Sequence, residues 1–390
     1  MKDINVGVAD AFTLPEWCAP PTNADGVIFF IADDGVHGKE LWKSDGTDTG
    51  TVLVKDINPG PASAFSTDYC AVPRAVLGGA VFFAADDGVA GLELWRSDGT
   101  AAGTMRVADI HPGTNGSNPS DLMLVGDTLY FAANDGRTGA ELWKSDGRAG
   151  GTLRVADIDP DQSDQYPSPT QLTNVDGTLY FVARYGSTRN GPGGGLWTSD
   201  GTARGTTRVT DIFPNEFGAG PSELINFGGT LFFSAFTALW KSDGLSNGTI
   251  VVKDTNPYFI GAPQGLTAVG DTLYFSAARF QPSLQLSGRE LWKSDGTTAG
   301  TTTLTVTSSI DVGAEPTGLV AVNGTLFFTA MDVTGNRQLW KSDGSARTTV
   351  PVQQIGTADP FSPPTSLGVA GGSPRYGYSV RIPVCENALQ

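Results

Sequence analysis

GKELWKSDGTDTGTVLVKDINPG (residues 38–60) and GLELWRSDGTAAGTMRVADIHPG (residues 91–113) are two copies of one pattern. Its Leu-Trp pair returns at Trp42, Trp95, Trp143, Trp197, Trp240, Trp292 and Trp340, so seven of the eight tryptophans hold one repeated position. The intervals run from 43 to 54 residues. A period of this length marks stacked supersecondary units, each unable to bury its apolar face alone. Every copy holds four short apolar runs. They are a weak run such as Ser120–Val125, a Thr-Leu-Tyr-Phe run such as Thr128–Phe131, the Glu-Leu-Trp-Lys run at 141–144, and a Val-x-Asp-Ile run such as Val155–Ile158. Aromatic and β-branched residues at this density favour strands. Gly126-Asp127, Asp176-Gly177 and Asn323-Gly324 between the first two runs are short-hairpin signals. Four antiparallel strands per period predict an all-β chain, a β-propeller of four-stranded blades.

Composition agrees. The 390 residues include 51 Gly and 24 Pro, and the longest run free of both is Thr230–Asp243. Long helices have little room, which argues against bundles, coiled coils and Rossmann-type folds. Eight Trp, nine Tyr and 20 Phe supply bulk for a large core. No apolar stretch approaches the roughly 18–20 residues that span a bilayer. The formal charge of −16 argues against nucleic acid and against anionic membranes as partners.

One propeller domain is expected over residues 1–390, with segments 1–6 and 361–390 closing the ring. Met1–Asn5 matches Val54–Asn58 at the end of a fourth strand. Pro364–Val369 resembles the first-strand run Pro169–Val175, and Tyr376–Val380 and Arg381–Val384 could follow as second and third strands. Eight blades, the last shared by the two ends, are therefore preferred to seven blades with extensions. The sequence carries no signal peptide, and Met1 stands where the repeat has Val54, so the chain is expected to begin at a cut.

The motif Glu-Leu-Trp-x-x-Asp-Gly-Thr-x-x-Gly-Thr resembles the signature of the bacterial ELWxxDGT repeat proteins, and the likeness extends over nearly the whole chain. The resemblance implies a secreted or cell-surface repeat protein. It implies no chemistry, because that family is defined by its repeat. Copies four and five lack the Glu (Gly195-Leu196-Trp197 and Ala238-Leu239-Trp240), and copy seven reads Gln338-Leu339-Trp340.

Residues repeated in every copy are expected to hold the blades. Leu and Trp alternate on one strand and should pack against opposite neighbouring blades. Asp45, Asp98, Asp146 and their equivalents should accept backbone N–H bonds within the Ser-Asp-Gly-Thr turn, with Gly at positive φ. Calcium in each blade is the competing reading, since it takes several carboxylate and carbonyl oxygens; no calcium-loop spacing matches, and no metal ligands are assigned. Variation concentrates on one rim, formed by the second turn of each copy and the copy-to-copy connections. Binding sites on scaffolds lie in such loops. The candidates there are Asp33, Asp34, Asp86, Asp87, Asp135, Tyr166, Arg184, Tyr185, Arg279 and Phe280. Aromatics beside acids and arginines suit a carbohydrate or an extracellular protein.

Catalytic motifs are missing: there is no G-x-S-x-G, no HExxH, no P-loop, and only His37 and His111. No catalytic residue is assigned. Cys18 and Cys70 fall at nearly equivalent places before the first strand of adjacent copies and are the expected disulfide, with Cys385 as second choice for Cys18. The expectation is thus a binding module rather than an enzyme, with self-assembly open. A hydrolase or lyase with a carboxylate-rich site at the channel mouth and a structural subunit of an extracellular assembly are the alternatives.

Overall fold

The computed structural model describes residues 2–6, 11, 21–65, 74–158, 169–184, 194–212, 220–255, 261–281, 286–304, 313–353, 366–370 and 373–377. In blade one, strand one is Thr22–Ala24, strand two Val27–Asp33, strand three Lys39–Ser44 and strand four Val52–Lys55. They pair antiparallel in that order. Six more four-stranded sheets repeat the order, their first strands beginning at Arg74, Ser120, Thr170, Ser222, Gln264 and Thr317. Helix among the described residues is limited to two short 3-10 turns, Ala149–Gly151 and Ser246–Gly248. The chain is an all-β β-propeller with seven four-stranded blades. Contacts divide it into two compact units, Met1–Gly220 with blades one to four and Pro221–Gln390 with blades five to seven.

The first turn of a blade is tight because both central residues take left-handed backbone. Asp25 and Gly26 have φ of 51° and 86°, and Asn323 and Gly324 have 48° and 76°. That is the two-residue hairpin whose twist matches the flanking strands. Inside each unit, strand one of a blade lies beside strand one of the next, as in blades two to four and five to seven. Strand four is the outer edge.

Each sheet is closed by one cross-strand pair. Phe30 faces Trp42, Phe83 Trp95, Phe131 Trp143, Phe181 Trp197, Phe233 Trp240, Phe275 Trp292 and Phe328 Trp340. In the last four pairs the rings stack, with centroids 6.0–6.5 Å apart. Trp42, Trp95, Trp292 and Trp340 are buried, whereas Trp143, Trp197 and Trp240 are half-buried. This aromatic face of one blade receives the leucine face of the blade before it. Leu41, Val54 and Ile57 of blade one share a core cluster with Phe83 and Trp95 of blade two. Leu291 and Leu304 of blade six share one with Phe328 and Trp340 of blade seven. Leu41 and Trp42 therefore do serve opposite interfaces, because consecutive strand residues point to opposite faces.

Polar staples follow the same direction around the units. In several blades the cation after the Trp reaches the turn glycine of the next blade: Lys144 Nζ donates to Gly201 O at 2.8 Å, Lys241 to Gly296 O at 3.1 Å and Lys293 to Gly344 O at 2.7 Å. Lys55 Nζ donates to Thr104 O at 2.8 Å and lies over the Trp95 ring, 5.7 Å from its centroid.

The two ends of the chain behave differently. Lys2 Nζ donates to Thr51 O at 2.9 Å, as Lys55 does one blade later, and Ile4 packs on Phe30, Ala32 and Trp42 as Ile57 packs on Phe83 and Trp95. Lys2–Asn5 thus makes the contacts of a fourth-strand end without strand pairing. Ser366–Ala370 lies beside strand one of blade seven and pairs with Ser373–Gly377 alone, as a two-stranded sheet. The eighth four-stranded blade expected from the sequence is therefore corrected: seven are seen. Pro374 lacks the N–H that a second strand, bonded on both sides in the other blades, has to offer. The segment 381–384, expected as a third strand, lies outside the described residues.

Replacing Trp95 by Ala should remove one whole side of the first interface and destabilise the protein by roughly 3–5 kcal/mol. Urea unfolding checks this; an unchanged midpoint and slope would contradict the packing role.

Candidate functional site

Antiparallel strands send the first and third turns of every blade to one end and the second turns and blade connections to the other. At the first end the Ser-Asp-Gly-Thr turn closes on itself. Asp45 Oδ1 accepts from Thr47 N at 2.9 Å and Thr47 Oγ1 at 2.7 Å, Thr47 Oγ1 accepts from Gly50 N at 2.9 Å, and the Ser44 and Thr51 hydroxyls meet at 2.7 Å. Asp98, Asp200 and Asp295 repeat the arrangement, and Asp146 accepts from Arg148 N. The threonine hydroxyl and then its N–H hold Asp45, Asp98, Asp200 and Asp295 below the usual carboxylate pKa. The second glycine is needed for space, since a Cβ on Gly50, Gly103, Gly205 or Gly300 would meet the carboxylate. Blade seven has Thr348 there, and its hydroxyl donates to Asp343.

At the other end, the acidic second turns are also built around their own backbone. Asp33 Oδ1 accepts from Gly35 N at 2.8 Å, and Asp34 Oδ1 from Val36 N and His37 N at 2.9 Å each. Asp86 and Asp87 repeat this in blade two, and Asn134 and Asp135 in blade three. Asp34 Oδ2 lies 2.8 Å from His37 Nδ1. That hydrogen bond above all raises the His37 pKa. Burial opposes the Asp34 charge, but the bonds from His37 and Val36 prevail and lower its pKa. Asp87 Oδ2 is 3.7 Å from Arg106. These five candidate acids shape the turns that carry them, Asp34 with both oxygens engaged locally and the others with Oδ1.

The residue that sequence reasoning left without a role is the Glu of Glu-Leu-Trp. Glu40 and Glu93 are 0% exposed and Glu141 1%. Glu40 accepts from Ile57 N at 2.9 Å and Asn58 N at 3.2 Å; Glu93 from His111 N at 3.0 Å, Ile110 N at 3.3 Å and Ser117 Oγ at 2.6 Å; Glu141 from Ile158 N at 2.8 Å. Each carboxylate ties down the chain as it leaves strand four for the next blade. Burial outweighs these bonds and pushes the Glu40 pKa up to about 7; Glu93 is raised for the same reason. In blade five, which lacks the Glu, Thr237 Oγ1 donates to Asp254 at 2.9 Å instead, and Thr255 bonds to Thr237 O. A polar residue repeated before an apolar pair was the available signal, but its partner sits 17 residues away and only folding reveals it.

Tyr166, Tyr185 and the cysteines Cys18, Cys70 and Cys385 lie outside the described residues. Arg184 ends strand two of blade four, Thr178–Arg184. Arg279 and Phe280 belong to a feature special to blade six. Its strands two and three, Thr272–Gln281 and Leu286–Ser294, are ten and nine residues long, and the extra pairs Arg279–Gly288, Phe280–Ser287 and Gln281–Leu286 carry the hairpin past the sheet. Second strands in the other blades have six or seven residues. Among the described residues, no group of three or more His, Cys, Asp or Glu side chains is placed to hold a metal. No helix is long and apolar enough to cross a membrane.

No family model matches the chain, and no curated protein does. Solved structures do. A puromycin hydrolase variant complexed with PGG is 13% identical, with 97% of this chain and 60% of that one covered and a TM-score of 0.51. A puromycin-hydrolyzing peptidase of Mycobacterium tuberculosis is 14% identical over 92% of this chain and 56% of that one, at 0.49. The β-propeller domain of the Trilobed protease from Pyrococcus furiosus is 10% identical over 83% and 92%, at 0.41. The chain spans less than two thirds of the two hydrolases, and at these identities the likeness is one of fold alone.

The Glu40 carboxyl gives a pH prediction. Its folded pKa of about 7 lies above the ordinary 4.5, so its contribution to stability is present below pH 4.5 and is lost as pH rises toward about 7. The stability of the native protein relative to Glu40→Gln should fall across that window and level off above it. Thermal unfolding of both proteins from pH 4.5 to 8 measures the difference; a flat difference would reject a buried, titrating Glu40.

Proposed function

We propose that this propeller is a binding module of the ELWxxDGT repeat type, acting outside the cell or on its surface, that recognises a carbohydrate or a protein through its rim of second turns. One observation carries the reading. The blade-six hairpin continues for three residue pairs beyond the length of the other second strands, with Arg279 and Phe280 on it. The strands of this hairpin continue directly into the blade-six sheet. Loops supported in this way are where scaffolds carry recognition. The acidic turns of blades one to three support the rim, and their carboxylates are bound within the turns.

Replacing residues 280–287 by Asn-Gly would shorten the hairpin to a two-residue turn between Arg279 and Gly288. This variant should keep its unfolding midpoint and lose binding on a glycan array and a displayed-peptide library. Retained binding would move recognition away from blade six, and a wild-type protein that binds neither would reject the module reading.

A further inference from the structure

The repeats diverge together at one place. Two residues before the motif Leu, the seven copies carry Lys39, Leu92, Ala140, Gly194, Thr237, Arg289 and Arg337, so arginine occurs only in the adjacent blades six and seven. The strand-two residues facing Leu291 and Leu339 are Ser276 and Thr329, where blades one to four have Ile31, Ala84, Ala132 and Val182. Each arginine is seated by these groups. Arg289 Nε donates to Ser276 Oγ at 3.0 Å, and its Nη2 to Ser276 O at 2.5 Å and Ala262 O at 2.9 Å. Arg337 Nη1 donates to Glu315 O and Thr317 Oγ1 at 3.0 Å each, to Thr329 Oγ1 at 3.3 Å and to Thr329 O at 3.5 Å.

Both residues touch Glu315, Arg337 through its guanidinium and Arg289 through its backbone. The Arg289 N–H donates to Glu315 Oε1 at 2.9 Å, and the Glu315 N–H donates to Arg289 O at 3.0 Å. Glu315 has φ of 47° although Pro316 follows it, a position that sterics push toward extended backbone. Asn118 before Pro119 in blade three has the same form, with φ of 50° and its N–H donated to Leu92 O at 3.0 Å, so this backbone belongs to the repeat and the Glu315 side chain is what differs. Both arginines are half-buried, and burial disfavours their charge. Yet among the described residues neither makes an ion pair, in a chain of net charge −16. Buried charge is ordinarily paired. The hydrogen bonds also leave a specific set of donors. Arg337 uses Nη1 alone, so its Nε–Nη2 edge, the fork that matches a carboxylate, has no protein partner among the described residues. Arg289 keeps Nη1 in the same way.

We propose that Arg337, positioned by Glu315 O, Thr317 and Thr329, forms a carboxylate-binding subsite on the rim end of blade seven. The Arg337 fork takes both ligand oxygens. A singly charged anion fits, because the Glu315 carboxylate beside the arginines repels a doubly charged phosphate. The carboxylate could belong to an acidic sugar or to a peptide C-terminus. The proposal rests on the rim being the recognition face, but it places binding on the sheet and not on the projecting hairpin.

The test is titration of the full chain, followed by NMR with arginine Nε–Hε resonances observed, using sodium galacturonate and N-acetylglycine as the two probes. Galactose and N-acetylglycinamide are their uncharged controls. One acid should bind and shift the Arg337 Nε resonance, identifying the source of the carboxylate, while the controls shift nothing. Arg337→Gln should weaken binding at least tenfold, and Arg337→Lys should not restore it, because an ammonium offers no fork. Glu315→Gln should tighten binding, which a purely structural arginine would not do. If neither acid shifts an arginine resonance of the wild-type protein at 20-fold molar excess and low salt, the proposal is overturned, whatever the variants do. The hairpin variant with Asn-Gly in place of residues 280–287 should still bind the acid, which separates failure of this subsite from failure of hairpin recognition.

Discussion

The rest of the structure depends on one contact: the leucine face of a blade set against the Phe–Trp face of the next. Leu41 and Leu291 have no exposed surface, and the phenylalanines that meet them, Phe83 and Phe328, have none either. A four-stranded sheet has two faces and a single blade can cover neither. The contact solves this by making the two faces different, so that each blade is complementary to its neighbours and not to itself. Association then has a direction. The staples from Lys144, Lys241 and Lys293 point the same way, each from a blade to the turn of its successor.

The eight-residue motif can be read atom by atom in that light. Glu holds the chain leaving strand four, Leu packs forward, Trp packs backward across its Phe, and the Lys donates forward to a glycine carbonyl. Ser, Asp, Gly and Thr close the turn that receives the next donor. The strand-two ring before the Phe ends on that same turn: a Cβ on Gly201 or Gly344 would meet the hydroxyl of Tyr130 or Tyr274. The motif is conserved among the copies because each residue serves a neighbour as well as its own strand, so a change in one copy is felt in two blades.

Departures from the repeat mark where this constraint relaxes. Blade five has no Glu and substitutes a Thr237–Asp254 bond across a minimal second turn. Blade seven has Gln338, whose amide donates to Asp332 at 2.9 Å. Blade six lengthens its hairpin and, with blade seven, places arginine where other blades have small or apolar residues or Lys39. These departures lie at turns and strand ends, where packing makes the weakest demands, and blade four of the first unit adds its own, with Gly195 in place of the Glu.

Period, strand number and the opposite facing of Leu and Trp were all legible in the sequence, because they follow from residues repeated at fixed spacing along one strand. Turn chemistry was legible as well: Asp45 and Thr47 are two residues apart, and a bond of that range needs no tertiary structure. What folding alone decided lies between distant residues. Glu40 meets Ile57, Arg289 meets Ala262 and Glu315, and Lys55 meets Thr104. The count of blades also escaped the sequence. Ile4 matches Ile57 in its contacts, but side-chain resemblance does not supply backbone pairing, and Pro374 withdraws a donor where a complete blade needs one. The acids read as a binding surface have a second, local role. Asp33, Asp34, Asp86, Asp87 and Asp135 were visible as charges, but their bonds to the adjacent N–H groups depend on the bend of the chain, which composition does not record.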